Sequence, residues 1–225
     1  MTSIFIAGDS TAAKKEASVR PETGWGEKIG LFFDQNVLIK NKAKNGRSSK
    51  SFIEEGRLAE IEKEIQPGDY LFIQFGHNDQ KIQEDRGTKP FGDYLAFLTQ
   101  YIEVAKKNQA CPVLLTSISR RDYLADGKLN HETLGQYPEA MRMLASKLDV
   151  PCLDLFKITQ EWLADFEIEE TKEFFLHSQS NRLPNYPNGV IDNTHLSDLG
   201  AYCVASLVAQ AIEKSPLLLK QQLIK

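Results

Sequence analysis

The sequence predicts an α/β fold in which helices cover both faces of a parallel sheet. Five runs, at residues 3–7, 37–42, 70–75, 112–117 and 151–155, are short, apolar and non-alternating, as strands buried on both faces should be. Stretches with the apolar spacing of helices separate most of them. Strands that alternate with helices imply parallel pairing through right-handed crossovers. The 225 residues suffice for one sizeable domain, 1–225, with its own core, and no repeat, low-complexity tract or linker divides them.

The first strand, Ile4-Phe5-Ile6-Ala7, stops at the turn signal Gly8-Asp9-Ser10. Residues 24–34 then show a helical pattern with Trp25, Ile29 and Phe32 or Phe33 on one face. After the second strand, residues 50–65 carry Phe52, Ile53, Leu58, Ile61 and Ile65 at helical spacing. Pro67-Gly68-Asp69 is a turn that delivers the third strand. Residues 82–91 and 181–189 are polar and rich in Pro, Gly and Asn, hence loops, and loops of that length often carry function. Helices are expected over 91–107 (Tyr94, Leu95, Leu98, Ile102, Ala105) and 134–148 (Tyr137, Met141, Leu144, Leu148). A last helix over 197–214 presents Leu199, Val204, Leu207, Val208, Ala211 and Ile212, with Ser197 as its N-cap and Asp198 in its first turn. The apolar tail 215–225 could pack on the domain or on a partner subunit, and the oligomeric state stays open.

Composition narrows the function classes. Apolar residues make up 41%, charged residues 26%, and the net charge is −4. No block of Lys and Arg is available to neutralise phosphates, so nucleic acid is not an expected partner. The densest basic run, Lys40, Lys42, Lys44 and Arg47, reads as a solvated strand end. No apolar run is long enough to span a bilayer, so no membrane partner is expected either. Met1-Thr2-Ser3 lead straight into a strand without a basic or apolar leader, which points to the cytoplasm. Cys111, Cys152 and Cys203 are odd in number and widely spaced, as buried free thiols of a reducing compartment would be.

Chemistry is expected where the strands end. The first three runs are followed by Gly8-Asp9-Ser10, by Ala43-Lys44-Asn45-Gly46-Arg47-Ser48-Ser49 and by Gly76-His77-Asn78-Asp79. In a parallel sheet these C-terminal turns gather at one edge, where ligands bind. The Ser10 and Gly46 amides and the Asn78 side chain are three uncharged donors around one point, as a tetrahedral oxyanion requires. Each such donor is typically worth about 3–4 kcal/mol to the transition state. Asp192-Asn193-Thr194-His195 precedes the last helix, and a carboxylate three residues before an imidazole can accept its Nδ1–H and leave Nε2 free for Ser10. Each block alone has a plainer reading: a helix cap for Ser10, a turn for Gly46, an Asx turn for Asn78 and a loop staple for Asp192 and His195. Asp9 reads as a scaffold of its own turn and His77 as a loop-holding residue that could touch substrate. His131 and His177 read as surface residues in helix-flanking segments. No metal-ligand spacing, nucleotide-binding glycine motif or G-x-S-x-G elbow is present.

The joint set Gly8-Asp9-Ser10, Gly46, Gly76-His77-Asn78-Asp79 and Asp192-x-x-His195 resembles the four blocks of the SGNH (GDSL) hydrolase superfamily. Gly-Asp-Ser-Thr-Ala, Asn-Gly-Arg-Ser-Ser-Lys-Ser-Phe and Asp-Asn-Thr-His-Leu-Ser look like its rhamnogalacturonan acetylesterase branch. The resemblance implies a three-layer α/β/α sandwich with a five-stranded parallel sheet, flavodoxin-like, and no metal or organic cofactor. It implies Ser10 as nucleophile, His195 as base, Asp192 as its orienter, and Ser10, Gly46 and Asn78 as the oxyanion hole. It also implies a serine esterase that removes acetyl groups from pectin-type oligosaccharides. Arg86, Lys89, Arg120, Arg121 and Arg182 lie on loops that could reach uronate carboxylates, or they are plain surface charges. The alternatives are an esterase, thioesterase or lipase for another short acyl group, and a non-catalytic carbohydrate-binding module.

Overall fold

The computed structural model describes residues 1–224. Its centre is a five-stranded parallel sheet in the order β2-β1-β3-β4-β5, formed by β1 (Thr2–Gly8), β2 (Val37–Asn41), β3 (Tyr70–Gln74), β4 (Cys111–Leu115) and β5 (Cys152–Leu153). Ile4 is in register with Ile39 on one side and Tyr70 on the other. All five expected strands are present, each end within two residues of its expected limit, because runs buried on both faces have a sharp apolar boundary.

Alternate residues of the strands feed two separate cores, which makes the three layers. Phe5, Ala7, Leu71, Ile73 and Leu114 face α1 (Ser49–Glu54), α2 (Arg57–Glu64), α3 (Asp93–Lys107) and α4 (Tyr137–Leu148). Ile4, Ile6, Phe72, Val113 and Leu115 face α5 (Leu155–Ala164) and α6 (Asp198–Lys214). Each of these strand side chains is fully buried and contributes on the order of 1.5–3 kcal/mol if large and aliphatic or aromatic.

Three expectations need correction. Residues 24–34 form two 3-10 turns, Trp25–Glu27 and Ile29–Phe32, in place of an α-helix. The backbone there runs so close to the first loop that a Cβ at Gly26 would lie 2.6 Å from the Ala12 carbonyl oxygen, so packing overrides the apolar spacing. The expected helix over 50–65 is two helices, broken at Gly56 in a left-handed conformation with φ +76°. Leu199, expected on the buried face of α6, is exposed. Between β5 and the last helix, the loop expected over 181–189 connects the two strands of a hairpin. Beyond α5, an antiparallel hairpin joins β6 (Phe175–Ser178) to β7 (Val190–Leu196).

The tail packs on the molecule. Leu217 and Leu219 are buried, a 3-10 turn spans Leu218–Gln222, and the Ile224 amide donates to the Phe32 carbonyl at 3.0 Å. The cysteines are free and half-buried rather than fully buried, and burial pushes the Cys152 thiol up to about 12. Lys40 and Lys42 both reach Glu64, at 3.6 and 2.6 Å, and Arg47 pairs with Glu55, which fits a solvated strand end. Among the described residues no helix is long and apolar enough to cross a membrane.

Gly200, in the first turn of α6, sits against the backbone before β6: a Cβ there would lie 1.8 Å from the Phe174 carbonyl oxygen. Gly200→Ala is expected to force the two apart and to lower stability by about 1–3 kcal/mol, read as a lower urea midpoint at an unchanged m-value.

Candidate active site

The C-terminal ends of β1 and β3 meet where the strand order reverses, and a cleft of about 420 Å³ opens there. Ser10, Glu22, Asn45, Gly46, His77, Asn78, Lys81, Arg86, Arg120, Asp192, Thr194 and His195 line it. Ser10, Gly46, His77, Asn78, Asp192 and His195 therefore converge from four separate blocks of sequence. Arg86 and Arg120 join them. Lys89 and Arg182 are not among the lining residues. Arg121 turns away: its Nε donates to Thr171 Oγ1 at 3.0 Å and an Nη to the Ile168 carbonyl at 2.8 Å. It lines a second cavity of about 970 Å³ on the β6–β7 hairpin, as does His177, which sits in β6 just after the 3-10 turn Glu170–Phe174. His177 Nε2 lies 2.8 Å from Asn193 Oδ1, while His131 is exposed with Nδ1 3.0 Å from Gln160 Oε1.

The Ser10 turn is held from beneath. Asp9 is fully buried, and its Oδ1 accepts from the Thr11 amide at 2.9 Å and from Thr11 Oγ1 at 2.8 Å. Its Oδ2 lies 3.3 Å from His77 Nδ1. Burial raises the Asp9 carboxyl, but the charge and hydrogen bond of His77 and the bonds from Thr11 outweigh it and hold the pKa below its ordinary value. Burial pulls the His77 pKa down, against the charge and the hydrogen bond of Asp9. Gln74 extends the network, accepting from Trp25 Nε1 at 2.8 Å and donating to Thr11 Oγ1 at 2.9 Å. Asp79, also fully buried, ties the third turn to the second through Ser49 and to the loop through Thr88 Oγ1. Burial pushes its carboxyl up to about 7, against the bonds from Ser49 and Thr88.

His195 reaches the cleft through a bulge. β6–β7 pairing passes from Leu196 directly to Asp192, so Asn193, Thr194 and His195 stand outside the ladder. The Asp192 carboxylate closes the bulge: Oδ1 accepts from the Thr194 and His195 amides at 2.8 and 2.9 Å, and Oδ2 lies 2.7 Å from His195 Nδ1. The expected Asp192–His195 contact is present, on a bulged strand rather than in a free turn. His195 Nε2 is 3.0 Å from Ser10 Oγ. Burial raises the Asp192 carboxyl, yet the His195 and Thr194 bonds bring it down to about 2. Burial lowers the His195 pKa, and the Asp192 hydrogen bond and charge, with the Glu22 charge, lift it above the ordinary value.

Ser10, Gly46 and Asn78, which line the same cleft, keep donors to spare. Gly46 has φ +78°, a conformation that a side chain would strain. The Ser10 and Gly46 amides have no acceptor among the described residues. Asn78 Nδ2 spends one hydrogen on the Arg47 carbonyl at 2.9 Å and keeps its second. A hydroxyl bonded to an oriented imidazole, beside such donors, can attack an acyl carbon and shelter the oxyanion that results. Among the described residues no cluster of three His, Cys, Asp or Glu side chains is arranged to hold a metal ion. Glu22 and Lys81, which also line the cleft, were missed by sequence reasoning because no strand end or motif marks them.

Residues 6–201 match the GDSL-like lipase/acylhydrolase family. The chain is 47% identical to rhamnogalacturonan acetylesterase RhgT of Bacillus subtilis (strain 168), covering 98% of this chain and 94% of that protein. Its fold matches the crystal structure of protein YxiM from Bacillus subtilis with TM-score 0.81 and 21% identity, covering 96% of this chain and spanning 57% of that one. It also matches Axe2, an acetylxylan esterase from Geobacillus stearothermophilus, with TM-score 0.68 and 16% identity over 95% of each chain.

The Asp192 carboxyl yields a pH signature. Folding lowers its pKa to about 2, so the unfolded chain takes up the proton first as pH falls. The stability it adds is complete above about pH 5 and is lost progressively toward about pH 2. The stability gap between the wild type and Asp192→Asn, measured by urea denaturation, is expected to shrink over that range.

Proposed function

The chain belongs to the GDSL-like lipase/acylhydrolase family, and from that premise we propose that it is a serine esterase that removes acetyl groups from acetylated pectin-type oligosaccharides. The observation that carries this reading is the unbroken line from Asp192 Oδ2 through His195 to Ser10 Oγ, 2.7 and 3.0 Å at its two links. The similarity to a rhamnogalacturonan acetylesterase over nearly the full chain supports the acetyl-sugar substrate. The reading takes 1–225 as one hydrolase domain. A cytoplasmic site of action belongs to the proposal and is supported by three free cysteines, the state that a reducing compartment maintains.

In this mechanism Ser10 Oγ forms a bond to the acetyl carbonyl carbon as its proton passes to His195 Nε2. The carbonyl electron pair moves onto oxygen, where the Ser10 and Gly46 amides and the second Asn78 hydrogen receive it. The tetrahedral adduct collapses, the C–O bond to the sugar breaks, and His195 returns the proton to the leaving oxygen. Water then repeats the sequence on the acetyl-serine, and acetate departs. Asp192 keeps the proton of the resting imidazole on Nδ1, the tautomer that leaves Nε2 free to accept.

Lys81, Arg86 and Arg120 give the cleft a cationic side that suits the carboxylates of uronate sugars. Arg86 is braced by Glu84 at 2.6 Å and by the Gly46 carbonyl at 2.7 Å. Arg120 is braced by Gln80 Oε1 and the Thr133 carbonyl at 2.8 and 2.7 Å. His77 is a further candidate for substrate contact, since it lines the cleft and its Nε2 has no partner among the described residues.

Ser10→Ala is expected to abolish hydrolysis of a chromogenic acetate ester while circular dichroism and melting stay as in the wild type; full activity would remove Ser10 as nucleophile. Asp192→Asn is expected to lower kcat by on the order of 10²–10⁴-fold, because the imidazole tautomer is no longer held. Across esters of increasing acyl length, acetate should turn over fastest, with acetate released from acetylated pectin oligosaccharides; faster turnover of butyrate or longer esters would contradict the acetyl reading.

A further inference from the structure

A buried ion pair lies beside the Ser10–His195–Asp192 line without belonging to it. The Lys15 side chain is almost wholly buried, and its Nζ lies 2.5 Å from the Ser10 carbonyl oxygen, 2.8 Å from Asn45 Oδ1 and 2.7 Å from Glu22 Oε1. The ammonium donates to the Ser10 carbonyl and to Asn45 Oδ1, while Glu22 Oε1 is held by charge and accepts no hydrogen bond among the described residues. The three partners come from different pieces of chain: the turn after β1, the turn after β2 that carries Gly46, and the segment leading to Trp25. Glu22 is buried too, lines the cleft, and holds Oε1 3.9 Å from His195 Nε2. The imidazole therefore has one carboxylate on Nδ1 and a second beyond Nε2.

We propose that Lys15 and Glu22 are positioning residues for this active site: Lys15 clamps the Ser10 and Gly46 turns together, and Glu22 favours positive charge on His195 to an extent that Lys15 limits. The inference rests on the reading of Ser10 as nucleophile and His195 as base. Its physical content is a balance. During attack His195 becomes a cation, and a carboxylate 3.9 Å away stabilises that form. The same carboxylate without a counter-charge would also favour the imidazolium in the resting enzyme, where it cannot act as a base. The ammonium 2.7 Å from Glu22 offsets this. Asp192, Glu22 and Lys15 are the charged groups that act most directly on the ring, with His77 across the cleft, Arg120 beyond it, and the Tyr186 phenol near Glu22 and Asp192. Neither residue touches the reacting atoms, so neither is assigned a catalytic role.

The two halves of the pair have opposite electrostatic signatures, which a merely structural role would not produce. Glu22→Gln keeps the side-chain shape and removes the charge. It is expected to move the acid limb of kcat/KM on an acetate ester to lower pH and to lower the plateau by about tenfold, since less stabilisation of the imidazolium remains in the transition state. Lys15→Met leaves Glu22 uncompensated and is expected to move the limb to higher pH. The double variant Lys15→Met/Glu22→Gln should bring the limb back toward the wild-type position. NMR titration of the His195 ring should show the same three displacements in the resting protein, independent of turnover. Should Lys15→Met fail to fold, Glu22→Gln decides alone. The proposal is overturned if the His195 midpoint does not move in Glu22→Gln, or if both single variants move it in the same direction. Activity retained by Ser10→Ala would instead strike the esterase reading and leave the titration to judge the ion pair.

Discussion

The carboxylate of Asp9 is the constraint on which the cleft depends. It is wholly buried at the end of β1, where an ionised group is tolerated only if its oxygens are occupied. Thr11 occupies one and His77 the other. The first contact folds the turn that presents Ser10, and the second ties that turn to the one that carries Asn78. A buried charge left unpaired is so costly that these partners are specified together: the need to satisfy Asp9 holds two strand-end turns in one relative position.

The charges above this base are arranged in layers. Asp192 closes the β6–β7 bulge with one oxygen and orients His195 with the other, so the group that shapes the backbone also sets the ring. Lys15 performs the corresponding task on the opposite side, joining the turns of Ser10 and Gly46 while it neutralises Glu22. A buried ion pair of this kind is weak support for stability, because desolvation offsets most of the attraction. Its value lies in geometry: an ammonium held by two hydrogen-bond acceptors and a carboxylate leaves little freedom to the segments that carry them. Asp79 plays a similar part farther from the cleft, bridging Ser49 and Thr88.

The topology explains why these groups can meet at all. In the order β2-β1-β3-β4-β5 the chain leaves β1 toward one edge and then returns to its other side, which opens a crevice at the C-terminal ends. The last contribution comes from outside the main sheet. The β6–β7 hairpin brings His195 over the crevice only because three residues leave its ladder, and Gly200 lets α6 approach the backbone just before β6 closely enough to anchor that hairpin.

Much of this was legible in the sequence. Runs of Ile, Phe, Leu and Val without alternation announced the five strands, since residues buried on both faces cannot vary in polarity. The blocks at the ends of the first three announced Ser10, Gly46 and Asn78, and the three-residue spacing announced the Asp192–His195 pair, because turn chemistry and short-range hydrogen bonding are local properties. Other features were invisible for the converse reason. The 3-10 turns at 25–32 follow from close backbone contact with the first loop, and α5 and the β6–β7 hairpin take their order from packing. Lys15, Glu22 and Lys81 have no motif, and Arg121 was drawn away by Thr171 and Ile168. The sequence by itself determined the strands, the turns and which residue types stood ready at each strand end. Only the tertiary structure decided which charges face one another, because that depends on distances between segments far apart in the chain, and the strength of an ion pair or a shifted pKa is set by those distances and by burial.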